Sequence, residues 1–201
     1  DTLLSPETAD KIWEACNDRL TDEDFSAQGL LRKFRVDAVG TTDDPTDSHF
    51  HHETANASDC PTKIYPTFRP DKAFFVDRPS VLNPWLNQLG GNIIKFTDFL
   101  AALKARHDYF HEKGCRLSDH GMRYALSEPC DERKADQILA KAREGQAANP
   151  DETDAFGALI MYHVGQWVSE KDWTMQLHLG PRRNPNTRLF EKLGPDSGFD
   201  T

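Results

Sequence analysis

Very little in this chain points to a crosslinked or metal-stapled domain. Its 201 residues include only four cysteines, Cys16, Cys60, Cys115 and Cys130. They are widely spaced, with no C-x-x-C pair, which excludes a zinc-finger spacing. Four cysteines in a chain this long do not form a disulfide framework, so reduced and mostly buried thiols are expected. An excess of positive charge is also lacking: 24 Lys and Arg stand against 33 Asp and Glu, a net charge of −9. Binding a phosphate backbone needs a concentrated basic patch, so a nucleic-acid partner is not expected. No apolar run approaches the ~20 residues needed to cross a bilayer. The opening Asp1-Thr2-Leu3-Leu4-Ser5-Pro6-Glu7 has no basic n-region of a secretory leader. No membrane association and a cytoplasmic location are therefore expected. Internal repeats and low-complexity segments are absent as well.

What is present suits a globular protein. A chain of this length can bury a sizeable core, and 37% hydrophobic with 28% charged residues fits a soluble domain. A single region, 1–201, is expected. Residues 1–34 read as a helical lead-in. Ser5-Pro6-Glu7 has the pattern of an N-cap, a first-turn proline and a first-turn acid, and Ile12, Trp13, Cys16 and Leu20 follow at helical spacing. Residues 77–112 and 128–172 contain helical segments, although Pro79, Pro84 and Gly90-Gly91 make 77–91 read as broken by turns. Thr97 looks like the cap of a helix that closes at Gly114. Asp131 caps another, and Pro150 opens a longer one. Strands are expected at 36–42, 63–68, 115–118 and 174–179, alternating with helices. That order implies right-handed βαβ units and a parallel sheet.

The chemistry gathers where those strands stop. The second runs into Arg69-Pro70-Asp71-Lys72, the third into Asp119-His120-Gly121, and the fourth carries His178 ahead of Gly180, Arg183 and Asn184. In a parallel α/β protein the strand ends and the loops after them face one crevice. A guanidinium at a strand end suits two-point binding of a carboxylate, whereas the ordinary fate of an arginine is a surface ion pair. Asp119 in a dry cleft suits proton transfer; its ordinary role would be a turn or a cap. His178 suits a metal ligand or the polarising of a carbonyl.

His49-Phe50-His51-His52-Glu53 looks like a metal motif, but it follows a helix start. Residues two apart on a helix point in different directions, so a solvated helix face is expected there. Trp13, Trp85, Trp167 and Trp173 read as core residues.

The stretches LLSPETADKIWEACN, GTTDDPTDS, PTFRPDKAF, HEKGCRLSDHG, WTMQLHLGPRRNPNTR and FEKLGPDSGFD together resemble the uronate (glucuronate) isomerase family. They extend in order over nearly the whole chain. The resemblance implies the amidohydrolase-like architecture: part of a (β/α)8 TIM-type barrel with extra helices and a divalent metal, zinc or manganese. It also implies interconversion of D-glucuronate with D-fructuronate and of D-galacturonate with D-tagaturonate. Carried onto this chain, it makes Asp119 and His178 catalytic, Arg69, Arg183 and Asn184 substrate-binding, and His178 a metal ligand. Pro185 departs from the asparagine usual there, which alters the shape of that loop.

The family's H-x-H pair on the first barrel strand and its metal-binding aspartate on the last have no counterpart here. The resemblance thus covers the middle of the family. An incomplete chain, inactive alone and not retaining metal, is the expectation. The alternatives are a metal-dependent hydrolase of the same group and a non-catalytic fragment that binds sugar acids. The expected partner is the sugar-acid substrate. Open edges of a partial barrel are a hazard for association, so missing strands, a swapped partner in a homo-oligomer or a rearranged edge is expected to cover them.

Overall fold

A computed structural model describes residues 2–181, 184–195 and 197–198. Its contacts cluster into two compact units, a finer division than the single region read from the sequence. One comprises Asp1–Thr41 and Ser48–Pro66, the other Thr42–Asp47 and Thr67–Thr201.

The first unit contains helices α1 (Ala9–Leu20), α2 (Ala27–Lys33) and α3 (Phe50–Asn56) and strands β1 (Ala38–Gly40) and β2 (Lys63–Tyr65). Helix α1 begins later than Ser5-Pro6-Glu7 suggests. The Ser5 hydroxyl donates to Glu7 and the Ser5 N–H to Thr8 Oγ1, so Thr8 becomes the N-cap after a preliminary turn. Trp13 is not a core residue: it is 71% exposed, and α1 buries no residue at all. Its helical spacing marks an apolar stripe without fixing what lies against it. Ser26 caps α2 by accepting from Gly29 N at 3.0 Å. The two strands pair in parallel, Val39 opposite Ile64. Asn56, the last residue of α3, holds β2 from the side: its side chain both donates to and accepts from Ile64, each at 2.8 Å.

The second unit contains helices α4 (Pro79–Leu89), α5 (Phe96–Glu112), α6 (Glu132–Arg143), α7 (Pro150–Glu170) and α8 (Thr187–Leu193), strands β3 (Leu117–Met122) and β4 (Thr174–Leu179), and a 3₁₀ segment, Asp71–Asp77. Residues 77–91, expected to be broken by turns, hold α4 despite Pro84. An interior proline costs a helix about 3 kcal/mol, but Leu82, Trp85, Leu86 and Leu89 bury one face, and Gly90 and Gly91 end the helix with φ of 94° and 81°. Thr97 lies inside the first turn of α5 rather than at its cap. The free N–H groups there are taken by acids instead: Asp98 accepts from Lys95 N, and Asp136 of α6 from Phe96 N. The other end of α5 follows the sequence. Gly114, at φ 90°, donates to His111 O while Cys115 N reaches Phe110 O, a Schellman ending. Asp131 caps α6 as expected, and α7 opens at Pro150 as the sequence suggests, with Asn149 as its cap.

Phe68, Phe96, Phe99, Leu103, Phe110, Leu139, Phe156 and Ile160 form the centre of one apolar core in this unit, with Trp85, Trp167 and Trp173 buried beside them. At roughly 25 cal/mol per Å² of apolar surface buried, such rings dominate the stability. Of the thiols, Cys60 and Cys115 are buried, while Cys16 is exposed and Cys130 half-buried.

Among the described residues the strand pairing is parallel, as alternating strands and helices imply. The expected single four-stranded run is not formed by the regular strands, which make two pairs, β1 with β2 and β3 with β4. Within the second unit, single parallel bridges join Asp43 to Phe68 and Phe68 to Ser118, and Ser118 lies opposite Met175 of β4. β3 runs to Met122, beyond the expected 118, and so includes the polar Asp119-His120-Gly121.

Candidate active site

Strand periodicity decides which side chains meet. Residues two apart in a strand share a face, and Phe68, Ser118 and Met175 lie side by side in register. Phe68, Ser118 and His120 therefore face the core and are fully buried. Phe68 lies edge-on to Phe110 and His107, with ring centres 5.1 and 5.2 Å away. The alternate residues, Arg69, Asp119, Gly121, Gln176 and His178, share the opposite face. Arg69 is held in that phase by its backbone: its N–H donates to Asp43 O at 3.0 Å, and Asp119 N–H donates to Phe68 O at 3.0 Å.

On this face Arg69, Asp119 and His178 converge. Asp119 is only 5% exposed, and its two oxygens have different neighbours. Oδ2 lies 3.2 Å from Arg69 Nη1, and Oδ1 lies 2.5 Å from His178 Nε2. His178, opposite Gly121 in the register, is about half exposed. Its Nε2 also lies 3.4 Å from Gln176 Nε2. Arg69 Nε donates to Asp71 Oδ2 at 2.9 Å. Burial pushes the Asp71 carboxyl above its ordinary value, opposed by the Arg69 charge and the Gly121 N–H. On the core face, His120 Nε2 meets Ser118 Oγ at 3.0 Å, and burial pushes its imidazole down to about 4. It is neutral at pH 7. A cavity of about 310 Å³ opens beside Gly121, lined among others by Phe74, Arg78, Arg123, Tyr124 and Asp154. That is within the size range of small-ligand pockets.

A guanidinium and an imidazole thus clamp one buried carboxylate. A family model described as glucuronate isomerase matches residues 1–201. The chain belongs to the glucuronate isomerase family. It is 45% identical over 205 residues to a uronate isomerase of Solibacter usitatus, covering 100% of this chain and 44% of that protein. A uronate isomerase of Opitutus terrae is likewise 45% identical over 203 residues, covering 99% and 43%. Among solved structures, the uronate isomerase of Thermotoga maritima matches with a TM-score of 0.87 at 34% identity, over 98% of this chain and 44% of that one. The glucuronate isomerase of Caulobacter crescentus matches with 0.84 at 23% identity, over 99% and 42%, a likeness of fold. The chain spans under half the length of these relatives.

The divalent metal implied by the resemblance does not fit the described residues alone. His178 Nε2 already faces Asp119, and among the described residues no group of three or more His, Cys, Asp or Glu is placed to hold an ion. A catalytic zinc site needs three protein ligands. His51 is exposed on α3, as a solvated helix face predicts, but His49 precedes the helix and is buried, and half-buried His52 pairs its Nε2 with Thr41 Oγ1 at 2.7 Å.

Of the five residues singled out from the sequence, three meet. Arg183 lies outside the described residues. Asn184 lies past the end of β4 in a left-handed conformation, φ 52°. Sequence reasoning missed Asp71 and Gly121. The only signals were the acid two residues beyond Arg69 and a glycine directly after Asp-His. Among the described residues no helix is long and apolar enough to cross a membrane.

Proposed function

We propose that the chain carries part of the active-site face of a cytoplasmic uronate isomerase, on an arc of a (β/α)8 barrel. The enzyme interconverts D-glucuronate with D-fructuronate and D-galacturonate with D-tagaturonate. The observation that carries this reading is Asp119, buried within β3 with Arg69 on one oxygen and His178 on the other.

Aldose–ketose isomerisation moves one proton from C2 to C1 of the open-chain sugar. Asp119 takes the C2 proton as the C2–H electron pair forms the C1–C2 double bond and the C1 carbonyl π pair moves onto O1. The O2 hydroxyl proton passes to O1, and as the C2 carbonyl forms, the C1–C2 π pair takes the proton back from Asp119 at C1. Two fixed neighbours aim the carboxylate, so no reorganisation is needed at the moment of transfer. Half-exposed His178 steadies the developing enediolate oxygen from the ring edge not facing Asp119. Arg69, with Nε on Asp71 and Nη1 on Asp119, offers its Nη2 edge to the substrate carboxylate, joined by Arg183 and Asn184. A divalent zinc or manganese ion, with His178 as the one ligand assigned here, would act as a Lewis acid on the sugar carbonyl. For the chain by itself, the shortage of donors favours a second reading, binding of sugar acid without turnover.

The test is exchange of the C2 hydrogen of glucuronate with D2O, followed by proton NMR in the enzyme that contains this chain. Asp119→Asn is expected to slow exchange by about 10²–10⁴-fold, the usual worth of a positioned base. Exchange at the wild-type rate would remove Asp119 from the proton path.

A further inference from the structure

We infer that Asp71 is a positioning residue of this site: it locks the Arg69 guanidinium to the end of β3, and thereby aims the Asp119 carboxylate. The inference rests on the reading of Asp119 as the proton-transferring group. Its own basis is one carboxylate that joins two separate pieces of chain. Asp71 Oδ2 accepts from Arg69 Nε at 2.9 Å, and the Gly121 N–H reaches the same carboxylate at 3.2 Å to Oδ2 and 3.4 Å to Oδ1.

The Nε–H of arginine lies in the guanidinium plane, so an acceptor fixed there sets where both Nη groups point. With Nε on Asp71, Nη1 meets Asp119 Oδ2 at 3.2 Å and Nη2 lies over Gly121. Only glycine leaves that space: a Cβ on residue 121 would come within 2.8 Å of Arg69 Nη2 and 3.2 Å of Asp71 Oδ2. The Gly121 N–H ties the same carboxylate to the strand that carries Asp119 two residues earlier. Arg69, Asp71 and the end of β3 therefore move as one piece. Without Asp71 the guanidinium, about one-third exposed, is free to turn toward water, and Asp119 keeps only its His178 contact. Asp71 hydrogen-bonds neither Asp119 nor His178 among the described residues, so it acts through Arg69.

Two measurements test this. In the 201-residue chain, the ¹H–¹⁵N resonance of Arg69 Nε, identified by its absence in Arg69→Lys, is expected to be displaced and slow to exchange with water. In Asp71→Asn it should move toward the envelope of exposed arginines, because a neutral amide oxygen holds a guanidinium far less firmly than a carboxylate. Asp71→Glu, which keeps the charge, should recover part of the protection; it also serves if Asp71→Asn does not fold. An Arg69 Nε signal unchanged in both variants would overturn the inference. In the enzyme that contains this chain, Asp71→Asn should lower kcat by about tenfold or more with KM little changed, and Arg69→Met/Asp71→Asn should be no worse than Arg69→Met alone. Fully additive losses would overturn it as well. A wild-type enzyme inactive on uronates would sink the isomerase reading alone, since the Arg69 resonance still reports whether Asp71 holds the guanidinium.

Discussion

Two of the clusters of histidines and acids among the described residues differ in kind, one built like a site and the other not. In the first unit, His49, His51, His52 and Glu53 lie within five consecutive residues at the start of α3. His49 is buried edge-on to His52, His52 pairs with Thr41, and His51 points to solvent. In the second unit, Arg69, Asp71, Asp119 and His178 come from three distant stretches, yet hydrogen-bond distances link them all. Helical rotation spreads neighbours apart, whereas parallel strands in register stack alternate residues from different stretches on one face. Density in the sequence is thus a poor guide to a site; phase at strand ends is a better one.

The sharpest break in that comparison would be turnover by the chain alone. We expect no measurable fructuronate from glucuronate with added zinc or manganese, because His178 is the one metal ligand assigned here and a catalytic ion typically needs three. Activity above a His178→Ala control would mean that the α3 cluster or another group does hold metal. Next in size, Arg69→Met in the enzyme that contains this chain should cut kcat/KM for glucuronate by about 10–100-fold or more. Each hydrogen bond lost to a charged partner is worth on the order of 1.5–3 kcal/mol. Unchanged kinetics would free the strand-end cluster of its proposed role.

A third test concerns stability and involves His107. It is fully buried against Trp173, 4.1 Å between ring centres, and burial pushes its pKa down to about 3. Lys171, Lys104 and His111 push the same way, and Asp108 opposes them. The sign follows from linkage: between its folded value and about 6.5 the unfolded chain binds the extra proton, so stability is lost as pH falls through that window. At pH 5 the loss is about 2 kcal/mol relative to neutral pH. His107→Leu should remove that part of the acid sensitivity in urea unfolding at pH 7 and 5; an equal acid loss in wild type and variant would refute the assignment. The smallest expected effect completes the comparison. His51→Ala, on the exposed side of α3, should change stability by no more than about 0.5 kcal/mol and leave uronate turnover alone. A larger change would restore that cluster as a candidate.

Several of these features were legible in the residues because they are local. Gly114 and Asp131 mark helix ends through hydrogen bonds that span a few residues. Arg69, Asp119 and His178 stood out because ionisable groups at strand ends are rare without a use. Other features depended on distant parts of the chain. Pro84 stays inside α4 because a buried apolar face outweighs a missing N–H, and Trp13 is 71% exposed because helical spacing alone does not say what covers a stripe. The strand through Asp119-His120-Gly121 was read short, since polar residues that serve a site hide the apolar alternation of a strand. Asp71 was missed because its meaning depends on Gly121, fifty positions away.

The six residues 42–47 belong to the second unit although the chain on either side belongs to the first. The polypeptide therefore crosses from one unit to the other three times, and no single cut separates them. Expression of 67–201 would omit Asp43 and Asp44. Asp44 accepts from the Trp85 indole at 2.7 Å and lies 3.1 Å from the Lys72 ammonium, while Asp43 accepts from Thr67 N at 3.0 Å. The Arg106 guanidinium would likewise lose the carbonyls of Pro45 and Asp47. A piece trimmed at the obvious boundary would thus leave an indole, an amide, an ammonium and a guanidinium without their acceptors. Dissection into working halves calls for a linker that returns 42–47 in trans or by circular permutation.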